Sequence, residues 1–132
     1  MERVYTTTLL DKLGVRPGMR VALIGIDDET IRSLLTERTA DITEGWPTPE
    51  TDVVLLGADT TEALGPLEAL AERIRPSGAI WVVSRKGKVA TLRDVEVIGV
   101  AKAAGLVDNK VVSFSPTHTA LRLVIPIARR PR

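Results

Sequence analysis

The stretch LGVRPGMRVALIGIDDET, Leu13 to Thr30, begins as a cofactor loop would: a Pro-Gly turn, an apolar run, then Gly25. Loops of that type use glycine so that backbone amides can reach a ligand phosphate or carboxylate directly. Here the next two alternate positions are Asp27 and Glu29, both anionic. Two further loops carry charge at comparable points, Gly57-Ala58-Asp59-Thr60 and Ser84-Arg85-Lys86-Gly87-Lys88, each after an apolar run. Ligands of open α/β sheets lie at the carboxyl ends of strands, where strand order reverses. Any cofactor-binding group is therefore expected among Gly25, Asp27, Asp28, Gly57 and Asp59. Facing them, Arg85, Lys86 and Lys88 are the ligand-binding candidates, which together would form a polar crevice for a small anionic or zwitterionic molecule. The plainer alternative has these charges solvated, with Asp27 or Asp28 and Asp59 favouring helix N-termini.

Catalytic and metal chemistry find little else to use. His118 is the single histidine, so one chain cannot assemble a multi-histidine zinc site. It falls in SPTHT, expected to be a hairpin turn, where a general base would still need an orienting partner. With no cysteine there is no disulfide and no thiolate nucleophile or metal ligand. No Walker-type loop, nucleophile elbow or paired His/acid metal motif is present. Catalytic residues and metal ligands are thus both expected to be none. Trp81 lies inside an apolar run and reads as packing; Trp46, before Pro47, is placed to cover a sheet edge.

Those loops need strands and helices to hold them. Thr8 and Asp11 have the spacing of a helix cap, and Gly14 ends that short helix. Arg20 to Ile26 is apolar on both faces, as a strand covered by helices on each side must be. Asp27 or Asp28 then caps a helix that buries Ile31, Leu34 and Leu35. A polar stretch from Thr36 to Glu50 leads to a second strand, Asp52 to Ala58. Thr60 or Thr61 caps a helix led by Pro66 that buries Leu67, Leu70, Ala71 and Ile74, ended by Pro76 and Gly78. The third strand runs from Ala79 to Ser84. A helix capped by Thr91 follows, with Leu92, Val95 and Ile98 inward and Gly105 at its end. Leu106 to Phe114 and Ala120 to Ile127 form a hairpin, and Ala128 to Arg132 a frayed basic tail. Alternating strands and helices give a mostly parallel α/β sheet with an antiparallel edge, one domain over residues 1–127.

Composition agrees: 132 residues suit one domain, and 44% hydrophobic with 27% charged residues is ordinary for a globular protein. A net charge of +1 draws the chain to neither nucleic acid nor an anionic membrane. No apolar run reaches membrane-spanning length and MERVYTTTLL lacks a signal-peptide core, so a cytoplasmic location is expected.

Several phrases resemble class I S-adenosylmethionine-dependent methyltransferases. LGVRPGMRVALIG is similar to the lead into that family's first strand and glycine motif, TDVVLLGAD to the strand ending in its fourth motif, and LAERIRPSGAIWVVS to the following helix, turn and fifth strand. The whole chain more closely resembles a small bacterial family of unknown function that shares LG-x-x-PG, the basic loop and AGL before the hairpin. Both resemblances imply a three-layer, Rossmann-like, methyltransferase-like sheet. Two departures from the larger family decide the functional expectation. Its acid before the first glycine is matched by Leu23, and its second and third glycines by Asp27 and Glu29. A backbone angle reserved for glycine costs other residues about 1 kcal/mol or more. A like charge at ~4 Å from the cofactor carboxylate costs up to roughly 4 kcal/mol at an effective dielectric of 20. A quarter of that, with the backbone cost, weakens binding more than tenfold.

The second departure is length. Only 26 residues lie between Gly25 and Asp52, where the family fits two strands, a helix and an acid for the ribose hydroxyls. Thr39 to Trp46 supplies one short strand at best, with Asp41 or Glu44 in the place of the acid, so the outer strands are expected to be reduced or missing. The expected function is a non-catalytic methyltransferase-like binding or interaction module that holds no S-adenosylmethionine. The alternatives are a methyltransferase or other small enzyme with an atypical site, and a weak nucleic-acid binder through Arg85 to Lys88 and the tail. A shortened sheet leaves the Val21 to Ile26 strand near an edge, to be covered by Thr39 to Trp46 or by a second subunit in a homodimer.

Overall fold

Strands form where apolar, β-branched runs can be buried on both faces, and the computed structural model, which describes residues 9–130, shows six of them in one sheet. In chain order they are β1 (Val21–Ile24), β2 (Ile42–Glu44), β3 (Thr51–Gly57), β4 (Ile74–Arg85), β5 (Val107–Ser113) and β6 (His118–Val124). The sheet order is β2-β1-β3-β4-β6-β5. The first four strands are mutually parallel; β6 pairs antiparallel with both β4 and β5. Three helices connect them: α1 (Glu29–Arg38), α2 (Leu67–Ala71) and α3 (Asp94–Ala103). Residues 9–13 are also helical and end at Gly14, whose φ of 77° is the left-handed angle of a helix stop. The Thr8 cap and the end of the basic tail lie outside the described residues.

Because successive side chains of a strand point to opposite faces, each buried strand feeds two cores. Ala22, Val54, Leu56, Ile80, Val82 and Leu121 face one layer, with Leu67 and Leu70 of α2 and Val97 and Ala101 of α3. Leu23, Val53, Leu55, Trp81 and Val83 face the other, with Leu10 and Leu13 of the leading helical segment and Ile31 and Leu35 of α1. Each fully buried Ile or Leu contributes about 1.5–3 kcal/mol, which holds a ten-residue helix such as α1 to its place on the sheet. Trp81 is fully buried and its Nε1 donates to the Leu13 carbonyl at 2.9 Å, tying sheet and leading segment together.

The outer part of the sheet is reduced. One three-residue strand, β2, pairs with β1 from Val21↔Ile42 to Leu23↔Glu44, and residues 45–50 lead straight to β3 without a helix. The edge of β1 is therefore covered within the chain by part of the Thr39 to Trp46 segment. Trp46 itself is exposed, and Pro47 is buried in its stead.

Several local expectations are corrected. Ile74 opens β4 instead of ending a helix, and Pro76 to Gly78 lie within the strand span, where the pairing slips from Thr51↔Ile74 to Val53↔Ala79. An irregularity of this kind accommodates proline, which has no N–H for the ladder. Helix α3 starts at Asp94, two residues later than a Thr91 cap would begin it. Glu96 accepts from the Arg93 amide at 2.9 Å, and the altered phase turns Val95 outward at 68% exposed while Val97 is buried. Thr91 instead donates its hydroxyl to the Asp59 carbonyl. The start of the basic tail is not frayed: Ile127–Arg129 forms a 3₁₀ turn and Arg130 Nε donates to the Ile125 carbonyl at 2.9 Å.

Candidate functional site

Strand order reverses between β1 and β3, so a ligand crevice in this fold belongs at the ends of those two strands, at Gly25 and Gly57. The hairpin turn lies at the same end of the sheet, since His118 pairs with Arg85 and Thr119 with Ser113. A cavity of about 290 Å³ opens there. Gly25, Asp27 and Asp28 form one wall, Gly57 and Asp59 a second, and Phe114, Thr117 and His118 a third.

The two glycines meet each other. Gly25 has a φ of 66°, and a Cβ there would stand 3.3 Å from the Gly57 carbonyl oxygen. A Cβ on Gly57 would press on the Gly25 carbonyl, 3.0 Å from its carbon. Their small size is used in bringing two backbones together at the base of the crevice. Neither Asp27 nor Glu29 takes a positive φ; among the described residues Glu50 is the one non-glycine that does. The turn needs no glycine after Gly25. Asp28 becomes the cap of α1, its Oδ1 accepting from the Ile31 amide at 3.1 Å. Glu29 is in the first helical turn, 3.5 Å from Arg32, and Asp27 is exposed on the crevice rim.

The other candidates disperse. Asp59 does not cap a helix. Its Oδ1 accepts from the Arg85 amide at 2.9 Å, and its other oxygen lies 3.9 Å from Arg85 Nε, so it pins the end of β4 to the end of β3. Thr60 takes the capping part, its hydroxyl accepting from the Ala63 amide at 3.2 Å. Lys86 reaches away to donate to Ser113 Oγ at 2.8 Å, and Lys88 is exposed on the 3₁₀ turn Gly87–Val89. Arg85, Lys86 and Lys88 do not line the cavity, and the basic wall expected opposite the acids is replaced by the hairpin turn. His118 is the first residue of β6 and not part of a loop; its Nδ1 lies 2.8 Å from Thr117 Oγ1.

Phe114 and Thr117 were missed in the sequence, although the signal was present. Helix α3 after β4 returns the chain to the opposite end of the sheet, so the turn of the following hairpin must come back to the crevice.

Glu44 stands at the carboxyl end of β2, where the methyltransferase resemblance puts the ribose acid. Each of its oxygens accepts from Arg32, while the side chain stays 57% exposed. Arg32 Nε donates to its Oε2 at 2.7 Å and Nη2 to its Oε1 at 3.0 Å, a two-pronged pairing of guanidinium and carboxylate. The same Nη2 donates to the Ile26 carbonyl, so one side chain ties the end of β2 to the loop after β1. Hydrogen bonding to Arg32 holds the Glu44 carboxyl below its ordinary value, and that bond raises the Arg32 guanidinium in turn. Asp41 is at the other end of β2, paired with Arg20 at 3.0 Å.

No protein-family model matches the chain, and no curated protein is similar to it in sequence. Solved structures do match. A TehB-like SAM-dependent methyltransferase from Corynebacterium glutamicum superposes with a TM-score of 0.66 at 9% identity, over 92% of this chain and 87% of that one. The chain has a methyltransferase-like fold. A SAM-dependent methyltransferase from Aquifex aeolicus gives 0.59 at 14% identity, over 92% and 89% of the two chains. The magnesium protoporphyrin IX methyltransferase of Synechocystis PCC 6803, solved with bound SAM, gives 0.58 at 12% identity, over 94% and 77%. At these identities the likeness is one of fold: a mostly parallel Rossmann-like sheet closed by an antiparallel hairpin. No helix among the described residues is long and apolar enough to cross a membrane.

Proposed function

We infer that this chain is a non-catalytic binding module of methyltransferase-like fold. The observation that carries the reading is the Arg32–Glu44 pairing. Both oxygens of the carboxylate that would hold ribose hydroxyls are already bonded to a guanidinium, and that guanidinium also holds the Ile26 carbonyl. A ribose would have to compete with a bidentate, charge-assisted pair for the remaining lone pairs of the acid. The sheet supports the same reading, because β2 is three residues long and, among the described residues, no strand lies beyond it to wall off an adenine. On the other side of the crevice, Asp27 sets a negative charge on the rim where the cofactor's own carboxylate would approach.

Isothermal titration with S-adenosylmethionine and S-adenosylhomocysteine tests this directly. The expected outcome is no saturable heat in the micromolar range for either compound. Micromolar binding would overturn the reading and favour the second one, a methyltransferase with an atypical site. That alternative draws support from solved methyltransferases, one of them with SAM bound, that match the fold over more than nine-tenths of the chain.

A further inference from the structure

A second and larger cavity, about 520 Å³, opens beside the crevice on the face covered by the leading helical segment and α1. Pockets of about 300–1,000 Å³ bury most of a drug-sized molecule. Its body is apolar: Leu9 from the leading segment, Ile31 and Leu34 from α1, and Phe114 from the end of the hairpin. Ser115, Pro116 and Thr117 close it from the turn side. Two charged residues line it, and they are not equivalent. Asp28 is committed as the cap of α1, where the positive end of the helix dipole offsets its charge. Lys12 makes no ion pair among the described residues. Among the described residues the cavity therefore offers an apolar body and one cation without an ion-pair partner.

We propose that this cavity binds a small amphipathic carboxylate, its hydrocarbon or aromatic body against Leu9, Ile31, Leu34 and Phe114 and its carboxylate at Lys12. An apolar chain leaves water for that body, and the carboxylate stays at the rim, where Lys12 meets it without complete desolvation. An amine of the same length fits the apolar part equally and is repelled by Lys12. The proposal goes beyond the reading above and is tested apart from it, by titration with a carboxylate instead of the cofactor, although the two cavities share Asp28, Phe114 and Thr117.

The test is a nitrogen-15 NMR titration of the full chain with decanoate, and with decylamine as its charge-reversed counterpart. Decanoate is expected to shift the amides of Ile31, Leu34, Ser113 and Thr117 in a saturable way, and decylamine is expected to bind there at least about tenfold more weakly. Lys12→Glu lies on the surface and leaves the core intact; it should weaken decanoate binding roughly tenfold or more, as expected for loss of a charged partner. Leu34→Trp fills the cavity and should abolish the shifts. The proposal fails if decanoate shifts do not saturate or lie elsewhere, if decylamine binds as tightly, or if Lys12→Glu binds decanoate like the unaltered protein. Should Leu34→Trp not fold, the Lys12 comparison still decides.

Discussion

Replacing Gly57 with alanine measures how firmly the loops after β1 and β3 are held together. The added Cβ would press on the Gly25 carbonyl oxygen and stand 3.0 Å from its carbon, both of them backbone atoms that no rotamer change can move. Gly57 has no positive φ, so alanine is conformationally acceptable there and lowers the entropy of the unfolded chain, a gain of about 0.4–1 kcal/mol. Overpacking of a closed contact costs about 1–3 kcal/mol. Because the contact is with backbone, the cost falls in the upper part of that range, about 2–3 kcal/mol, and the net expectation is a loss of about 1–2.6 kcal/mol. In a chain of 132 residues this lowers Tm by roughly 3–10 °C, and the urea midpoint falls with it. Gly99→Ala is the control. It is exposed inside α3 with nothing within 4 Å of its added Cβ, and should stabilise by about 0.5–1 kcal/mol. Equilibrium urea unfolding followed by the fluorescence of buried Trp81 reads both. A Gly57→Ala protein as stable as its parent would refute the reasoning, since the strand ends would then part easily and the crevice could widen for a cofactor.

Other outcomes follow from the same contacts. Glu44→Gln removes the charge paired with Arg32. Because Arg32 holds the Glu44 carboxyl below its ordinary value, the pair stabilises the fold fully above the usual glutamate pKa of about 4.3 and loses that contribution as pH falls through the lowered value. The stability difference between wild type and Glu44→Gln should be present at neutral pH and close below that range; a gap of constant size in urea melts across pH would count against the pairing. Asp28→Ala deletes the α1 cap and should cost about 1 kcal/mol in thermal melts, whereas Asp27→Ala, exposed and unbonded among the described residues, should leave the melting point unchanged. Trp81→Phe leaves the Leu13 carbonyl without its donor and opens space in a fully buried site, for an expected loss of about 2–4 kcal/mol by urea unfolding.

Periodicity and turn chemistry in the sequence determined the sheet-and-helix alternation, the two-faced burial of β1, β3 and β4, and Asp28 as one of two possible caps. Those features depend on neighbours a few residues apart, which a linear reading sees. The sequence also determined that Asp27 and Glu29 stand where glycines would be wanted, and that too few residues precede β3 for a full outer sheet. Only the tertiary structure decided what the charged loops do. Asp59 and Arg85 are 26 positions apart and meet because β3 and β4 are parallel neighbours, so an acid expected to cap a helix pins a strand end instead. Arg32 closes on Glu44 and Ile26 because α1 crosses between β1 and β2, a contact set by the packing of a helix on the sheet. The same packing leaves Lys12 beside an apolar cavity made of three separate segments. Side-chain direction across distant elements depends on crossing geometry, and no spacing along the chain encodes that by itself.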